Sequence, residues 1–266
     1  PRCSLQPDLA PPPMTENRQI KPLARSKVYE FLALGFSYPD SSVVAAMKEL
    51  LDPLEAGLEI LGDGKCTEAV KATYAAVERT AVDDLKATYV GCFGHIISKE
   101  CPPYEAEYEH SHIFQKSQNL ADIAGFYKAF GLHPAPDYHE RLDHISTELE
   151  FMHFLCLKEA HAHAKGHADD RLSVCRGAQE KFLRDHLGRW GSGFVRRLEA
   201  KSENSLYGLL AGVLASFLAN EMRMLGLELD GSATPALQHQ LEDETGGCYE
   251  CAEADLTAPV EQGGSL

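Results

Sequence analysis

Between Glu140 and Met152 the chain reads ERLDHISTELEFM, where four acids and a histidine interrupt an apolar pattern. Glu140, His144 and Glu148 recur every four residues, so on a helix they are neighbours on one face. Leu142, Ile145, Leu149, Met152 and Cys156 recur every three or four and form an apolar stripe on a second face. An acid–imidazole–acid row beside an apolar stripe suits metal ligation, proton transfer, or the grip of a cationic peptide next to its apolar segment.

Metal ligation has some support in spacing. Glu107-x-x-His110, Glu109-x-x-His112 and Glu150-x-x-His153 match the Glu-x-x-His step of di-iron helical bundles. That architecture also needs a lone Glu on each of two other helices, and no Glu occurs between Ile113 and His139. His153 falls on an apolar stripe, where a core histidine bonded to a backbone group is the simpler reading. His161, His163 and His167 sit at a polar helix end, where the helix dipole favours them without a metal. Cys248 and Cys251 form a single CxxC, short of the four ligands of a structural zinc. Gly246 and Gly247 ahead of that pair offer no helix N-terminus to lower a thiol pKa. The pattern calls for no metal and no cofactor.

Covalent catalysis is poorly served. There is no G-x-S-x-G elbow and no phosphate-cradling glycine loop after a strand. Asp143 and His144 are adjacent, so on a helix they point about 100° apart and cannot bond as a relay does. Peptide binding fits best. Tyr104, Tyr108, Phe114, Phe126, Tyr127 and Phe130 supply aromatic surface for an apolar guest, and carboxylates at one end can pair with its arginines. Tyr104 and Glu105, in a loop beside Pro102 and Pro103, are the members least suited to a core.

Composition narrows the partner. The formal charge is −15, and nine of the 40 acids, but none of the 25 Lys and Arg, fall in residues 228–266. The balance argues against nucleic acid, which needs a basic footprint, and permits a basic partner. Eight cysteines in 266 residues are too few for a disulfide scaffold. Cys66, Cys92, Cys156 and Cys175 lie in helical patterns and read as small, reduced core residues. No secretory signal is visible, and the longest apolar run, Leu206 to Ala219, is shorter than the roughly 20 residues a bilayer needs. A cytoplasmic protein is expected, without stable membrane insertion.

The elements that must position these residues are helices almost throughout. Helical spacing predicts segments over Ala24–Ser37, Ser41–Leu51 with Ser41 or Ser42 as cap, Thr67–Arg79, Val82–His95 and Ile113–Phe130 ending at Gly131. Asp137 and Glu140 resemble a capping box, from which a helix runs to about Lys165. Asp170–Leu187, Phe194–Lys201 and Leu206–Leu225 follow, the last capped by Asn204 or Ser205 and apolar nearly all round, hence central to the core. No strand and no repeat is evident. The expected architecture is all-α, one globular domain of roughly eight to ten helices over residues 23–228. A Pro-rich disordered arm precedes it in residues 1–22, and an acidic flexible tail with the CxxC follows in residues 229–266.

Four segments in this order carry a resemblance: YEFLALGFSYPD (Tyr29–Asp40), CPPYEAEYEHSH (Cys101–His112), ADIAGFYKAFGL (Ala121–Leu132) and ERLDHISTELEFM. The chain resembles the TorD/DmsD family of redox-enzyme maturation chaperones, related to the NarJ group, over roughly residues 24–226. The last segment is similar to the family's E-x-P-D-H signature followed by a Glu-rich helix. The resemblance implies a TorD-like helical fold and a cytoplasmic, non-enzymatic assembly chaperone, working as a monomer or a domain-swapped dimer. Its implied partner is the twin-arginine leader, or the N-terminus, of the apo catalytic subunit of a molybdenum/iron–sulfur oxidoreductase, held until cofactor insertion. On that analogy Glu140, Asp143 and His144 form the leader-binding surface, flanked by Tyr104 and Glu105, and Glu148 joins it through the face its spacing shares with Glu140. Leu142 stands where the family often has Pro, and leucine lets a helix continue through the turn. The alternative from another class is a metal-dependent helical bundle using Glu107, His110, Glu150 and His153.

Overall fold

The computed structural model describes residues 18–94, 100–108, 113–133, 140–202 and 205–227. The expected arm up to residue 17, the acidic tail with Cys248 and Cys251, and Asp137, Glu109, His110 and His112 lie outside the described residues. Side chains from 113 to 115, Phe114 included, are likewise outside.

Among the described residues every regular element is helical. In chain order they are α1 (Ile20–Phe36), α2 (Ser41–Glu49), α3 (Leu51–Leu61), α4 (Gly64–Arg79), α5 (Val82–Phe93), α6 (Ile113–Ala129), α7 (Ile145–Ala164), α8 (Asp169–Phe182), α9 (Gly188–Lys201) and α10 (Leu206–Met224). A 3-10 turn covers Glu105–Glu107. The all-α expectation holds.

Local chemistry sets most boundaries. Asp40, rather than Ser41 or Ser42, caps α2, because its carboxylate accepts from the Ser42 and Val43 backbone N–H groups at 2.8 and 2.9 Å. Ser205 caps α10. Gly131 follows α6 with φ +76°, the left-handed stop that its position predicts. α3 was not expected: it abuts α2 at Leu50–Leu51, with no capping side chain between them to mark a boundary. The break expected at residues 188–193 does not occur, because α9 already begins at Gly188, and a π-helical stretch, Leu183–Leu187, joins it to α8. Gly188 permits it, since a Cβ there would sit 2.4 Å from the Leu183 carbonyl oxygen.

Packing divides the core between two helix groups. α1 lies along α7 and α3, α10 lies across α4 and α9, and α8 leans on α7. The core is one contiguous cluster in which Phe31, Phe36, Leu54, Leu149, Phe194, Tyr207 and Leu214 are fully buried. Each such side chain contributes about 1.5–3 kcal/mol by leaving water. α10 shares the centre rather than holding it alone, and its Leu206 and Leu209 are only half-buried. Cys66, Cys92, Cys156 and Cys175 are buried free thiols, as is Cys101. Burial pushes Cys66 and Cys101 up to about 12, so both stay protonated.

Candidate peptide-binding site

The site is built where two loops meet in front of α7. The segment before the 3-10 turn runs antiparallel to the turn 140–144, with a β-bridge between Tyr104 and His144. Glu105 N–H donates to the Asp143 carbonyl at 3.0 Å, and Ile145 N–H donates to the Pro103 carbonyl at 2.9 Å. This pairing corrects the expected helix from Glu140. The Asp143 carbonyl and the Ile145 N–H are spent on another loop, so α7 begins only at Ile145. Glu140, His144 and Glu148 therefore do not share one helical face. The Leu142 position does not carry the helix back through the turn either.

His144 is the N-cap of α7. Its backbone is extended (φ −73°, ψ 140°), and its Nδ1 accepts from the Ser146 N–H at 3.2 Å. That contact assigns the proton to Nε2. Burial lowers the imidazole pKa to about 4 against the opposing pull of Glu140 and Asp143, so the ring is neutral at physiological pH.

Asp143 is fully buried and fully used. It takes both forks of Arg141, Nε to Oδ1 at 2.9 Å and Nη2 to Oδ2 at 2.8 Å, and accepts from Ala106 N–H at 3.1 Å. Arg141 also lies 4.5 Å over the Tyr104 ring and 3.5 Å from Glu107. The Tyr104 hydroxyl donates to Glu140 Oε1 at 2.8 Å, and Arg141 N–H donates to the same oxygen at 3.1 Å. Tyr104, Glu140, Arg141 and Glu107 are half-buried and form the outer rim.

Behind the rim lies a second polar layer. Glu105, expected to face solvent, is buried, with both oxygens 3.1 Å from His186 Nδ1. His186 Nε2 reaches Asp122 at 3.3 Å. Burial opposes the imidazolium, but the two carboxylates prevail and raise the His186 pKa. Glu148 is fully buried and accepts from Trp190 Nε1 at 3.0 Å. Burial first, and the Glu105 carboxylate second, push Glu148 well above the usual carboxylate range. The shift favours the neutral form of the Glu148 carboxyl.

The six residues expected to face a guest thus divide. Tyr104 and Glu140 reach the surface, whereas Glu105, Asp143, His144 and Glu148 are locked inside, where they fix the turn. The physical reason is partner supply: Arg141, Ala106 N–H, His186, Trp190 and Ser146 give each interior group a hydrogen bond, so burial is tolerated. Arg141, His186 and Trp190 were missed in the sequence. The ERLD tetrapeptide held a signal, since one arginine between two acids tends to be neutralised within the chain.

The turn also borders an apolar groove. Tyr127 hydroxyl donates to the Leu142 carbonyl at 2.9 Å and ties the turn to α6. Between the end of α6 and the first four turns of α7 lies a solvent-open cavity of about 440 Å³. Leu132, Leu142, Phe151, Phe154 and Leu157 line it, with Glu150 at the rim. Of the expected aromatic surface, Tyr108 and Tyr127 are buried, and Phe126 and Phe130 pack on the Phe151 ring. His153, the histidine of the Glu150 motif, is bonded through Nδ1 to the Ser26 carbonyl at 2.9 Å. Among the described residues no three or more His, Cys, Asp or Glu side chains are placed so that they could hold a metal ion. Nor is any described helix long and apolar enough to cross a membrane.

The acidic turn thus opens onto an apolar groove in an all-helical unit. Comparison with known proteins places the chain in a family. The nitrate reductase delta subunit family matches residues 45–196. The selenate reductase assembly chaperone protein of Thauera selenatis is 40% identical over 197 residues, spanning 73% of this chain and 86% of the relative. The perchlorate reductase assembly chaperone protein of Dechloromonas aromatica (strain RCB) is 28% identical over 216 residues, spanning 79% and 93%. The chlorate reductase assembly chaperone protein of Ideonella dechloratans is 29% identical over 201 residues, spanning 73% and 86%. The chain belongs to the nitrate reductase delta subunit family of redox-enzyme maturation chaperones.

Proposed function

We propose that this protein is a cytoplasmic, non-catalytic assembly chaperone for the catalytic subunit of a molybdenum/iron–sulfur oxidoreductase of the oxyanion-reductase kind. It holds the twin-arginine leader or N-terminal segment of the apo-subunit until the cofactor is inserted. The observation that carries this reading is the juxtaposition at Leu142: the residue that lines the apolar groove belongs to the same turn as Glu140, Arg141 and Asp143. A leader of this kind is basic at one end and apolar beyond it. The apolar part fills the groove against Leu142, Phe154 and Leu157, and the basic part meets Glu140, Glu107 and Glu150 at the rim. Glu105, His144 and Glu148 serve by holding the turn in place, and Asp143 also anchors it through Ala106 N–H.

The magnitudes suit transient custody. A charge-assisted hydrogen bond at the rim contributes about 1.5–3 kcal/mol, and each buried leucine-sized side chain about 1.5–3 kcal/mol. Ordering a disordered guest offsets about 2–5 kcal/mol or more. The remainder corresponds to roughly micromolar binding, tight enough to hold and weak enough to release. The test is calorimetric titration with a synthetic leader. Leu157→Asp, which puts a charge on the groove wall, is expected to weaken the leader about tenfold or more while helicity and melting temperature stay near wild type. Unchanged affinity in that variant removes the groove from the proposal.

A further inference from the structure

Arg141 is held as a recognised arginine would be. Its guanidinium makes a two-pronged contact to Asp143, at 2.9 and 2.8 Å, and stacks 4.5 Å over the Tyr104 ring. Glu107 stands 3.5 Å off its third nitrogen. The walls of this cradle are fixed independently of their occupant. Asp143 is anchored by Ala106 N–H, Tyr104 by Glu140, and Glu107 by Lys116 at 3.2 Å. Fork, flat ring and second carboxylate together select a planar guanidinium over an ammonium. The occupant itself is not sealed in, because the Arg141 side chain is 34% exposed while Asp143 beneath it is 1% exposed. Leu142, the next residue, lines the apolar groove, so a chain with an arginine in the cradle would continue toward that groove.

We propose that Asp143, Tyr104 and Glu107 form a guanidinium seat that Arg141 fills in the free protein and yields to an arginine of the bound peptide. Arg141 is a built-in competitor: it keeps the buried Asp143 charge paired when no guest is present and sets the affinity below what the seat alone would give. Exchange swaps one guanidinium for another, so Asp143 is paired before and after it. This inference rests on the leader-binding reading and adds to it both the residue selectivity and the reason for release.

The full chain and its Arg141→Ala variant are titrated with two synthetic peptides. One carries paired arginines ahead of an apolar run, and the other has lysines in their place. The variant is expected to bind the arginine peptide about tenfold tighter, as for a seat filled about nine-tenths of the time by its own residue. The lysine peptide is expected to gain far less. Equal or weaker binding of the arginine peptide by the variant, or an equal gain for lysine, overturns the exchange. A second readout needs no peptide. Low-millimolar guanidinium chloride, set against ammonium chloride, is expected to raise the melting temperature of Arg141→Ala and not that of wild type; no selective rise overturns the seat. If guanidinium rescues the variant while neither protein binds either peptide, the seat stands and the leader-binding reading falls.

Discussion

Two arginine–carboxylate clusters in this molecule use the same chemistry in opposite settings. In the first, Arg25 on α1 forks onto Glu221 of α10 at 2.7 and 2.6 Å, and Tyr29 hydroxyl donates to Glu221 at 2.7 Å. Arg25 also lies 3.5 Å from Glu159 on α7, which accepts from Gln179 and Arg176 on α8. Arg25 and Glu221 are 4% and 3% exposed, so this cluster bolts four helices together inside the core. In the second, Arg141 makes the same fork to Asp143 and lies over the Tyr104 ring, yet its side chain opens to solvent beside a groove. A sealed ion pair cannot exchange its partner without unfolding; a rim pair can. Burial of the cation, rather than the identity of the pair, separates a structural bolt from a recognition element.

The largest expected effect tests the sealed side of that contrast. Glu221→Ala leaves the Arg25 charge buried and unpaired, a change that costs about 3–5 kcal/mol. Replacing both partners by apolar residues, Arg25→Met with Glu221→Leu, should recover most of the loss, because the desolvation penalty leaves with the charges. Arg141→Ala should cost only about 1–2 kcal/mol, since water reaches the place the guanidinium vacates and Ala106 N–H still serves Asp143. Urea melts of the four proteins settle the ranking, and a cost for Arg141→Ala as large as that for Glu221→Ala would erase the distinction drawn between the clusters.

A pH effect of intermediate size probes the layer between the rim and the core. Folding drops the His144 pKa from its ordinary 6.5 to about 4, so the native ring is neutral while the unfolded ring takes up a proton below pH 6.5. The stability tied to this group is complete above pH 6.5 and is lost as pH falls toward 4, by about 3 kcal/mol over that window. Glu148 acts with the opposite sign: its raised pKa gives a contribution complete below the ordinary carboxylate value and lost as pH rises through the native one. His144→Asn keeps an N-cap acceptor and removes the titration. Melting temperature against pH should therefore fall less steeply between 6.5 and 4 in the variant than in wild type. Parallel curves would mean that the imidazole is not held neutral by the fold.

The sequence showed the interior of this site better than its orientation, and the reason is the range of the interactions. Ile145, Leu149, Met152 and Cys156 are all fully buried, as their helical spacing implies, because periodicity is a property of one local element. The start of α7 was misjudged because it is set by a bridge to Tyr104, about 40 residues upstream, that no local pattern encodes. Glu105 looked exposed in its proline-rich loop; the partner that makes burial tolerable, His186, is 81 residues away. α3 escaped notice for a different cause, since Leu50 and Leu51 run α2 into it without a polar break. His153, read from its apolar stripe as a core histidine bonded to a backbone group, does meet the Ser26 backbone but is half-buried and lines the groove.

The smallest expected effect concerns the rim alone. Glu140 holds the Tyr104 hydroxyl at 2.8 Å and the Arg141 N–H at 3.1 Å, and it is half-exposed, so its charge faces both the cradle and the water in front of it. Glu140→Gln retains an acceptor for both contacts and removes only the charge. Stability should stay within about 0.5 kcal/mol of wild type, as for a surface substitution that leaves its hydrogen bonds intact. Affinity for an arginine-bearing leader should fall about two- to fivefold at low salt, and the difference should shrink as salt screens the rim. A Glu140→Gln variant that binds such a leader as well as wild type at every salt concentration would show that the rim charge plays no part in drawing in a guest. Recognition would then rest on the fork to Asp143 and the apolar groove, which would bring the open cluster closer in kind to the sealed one.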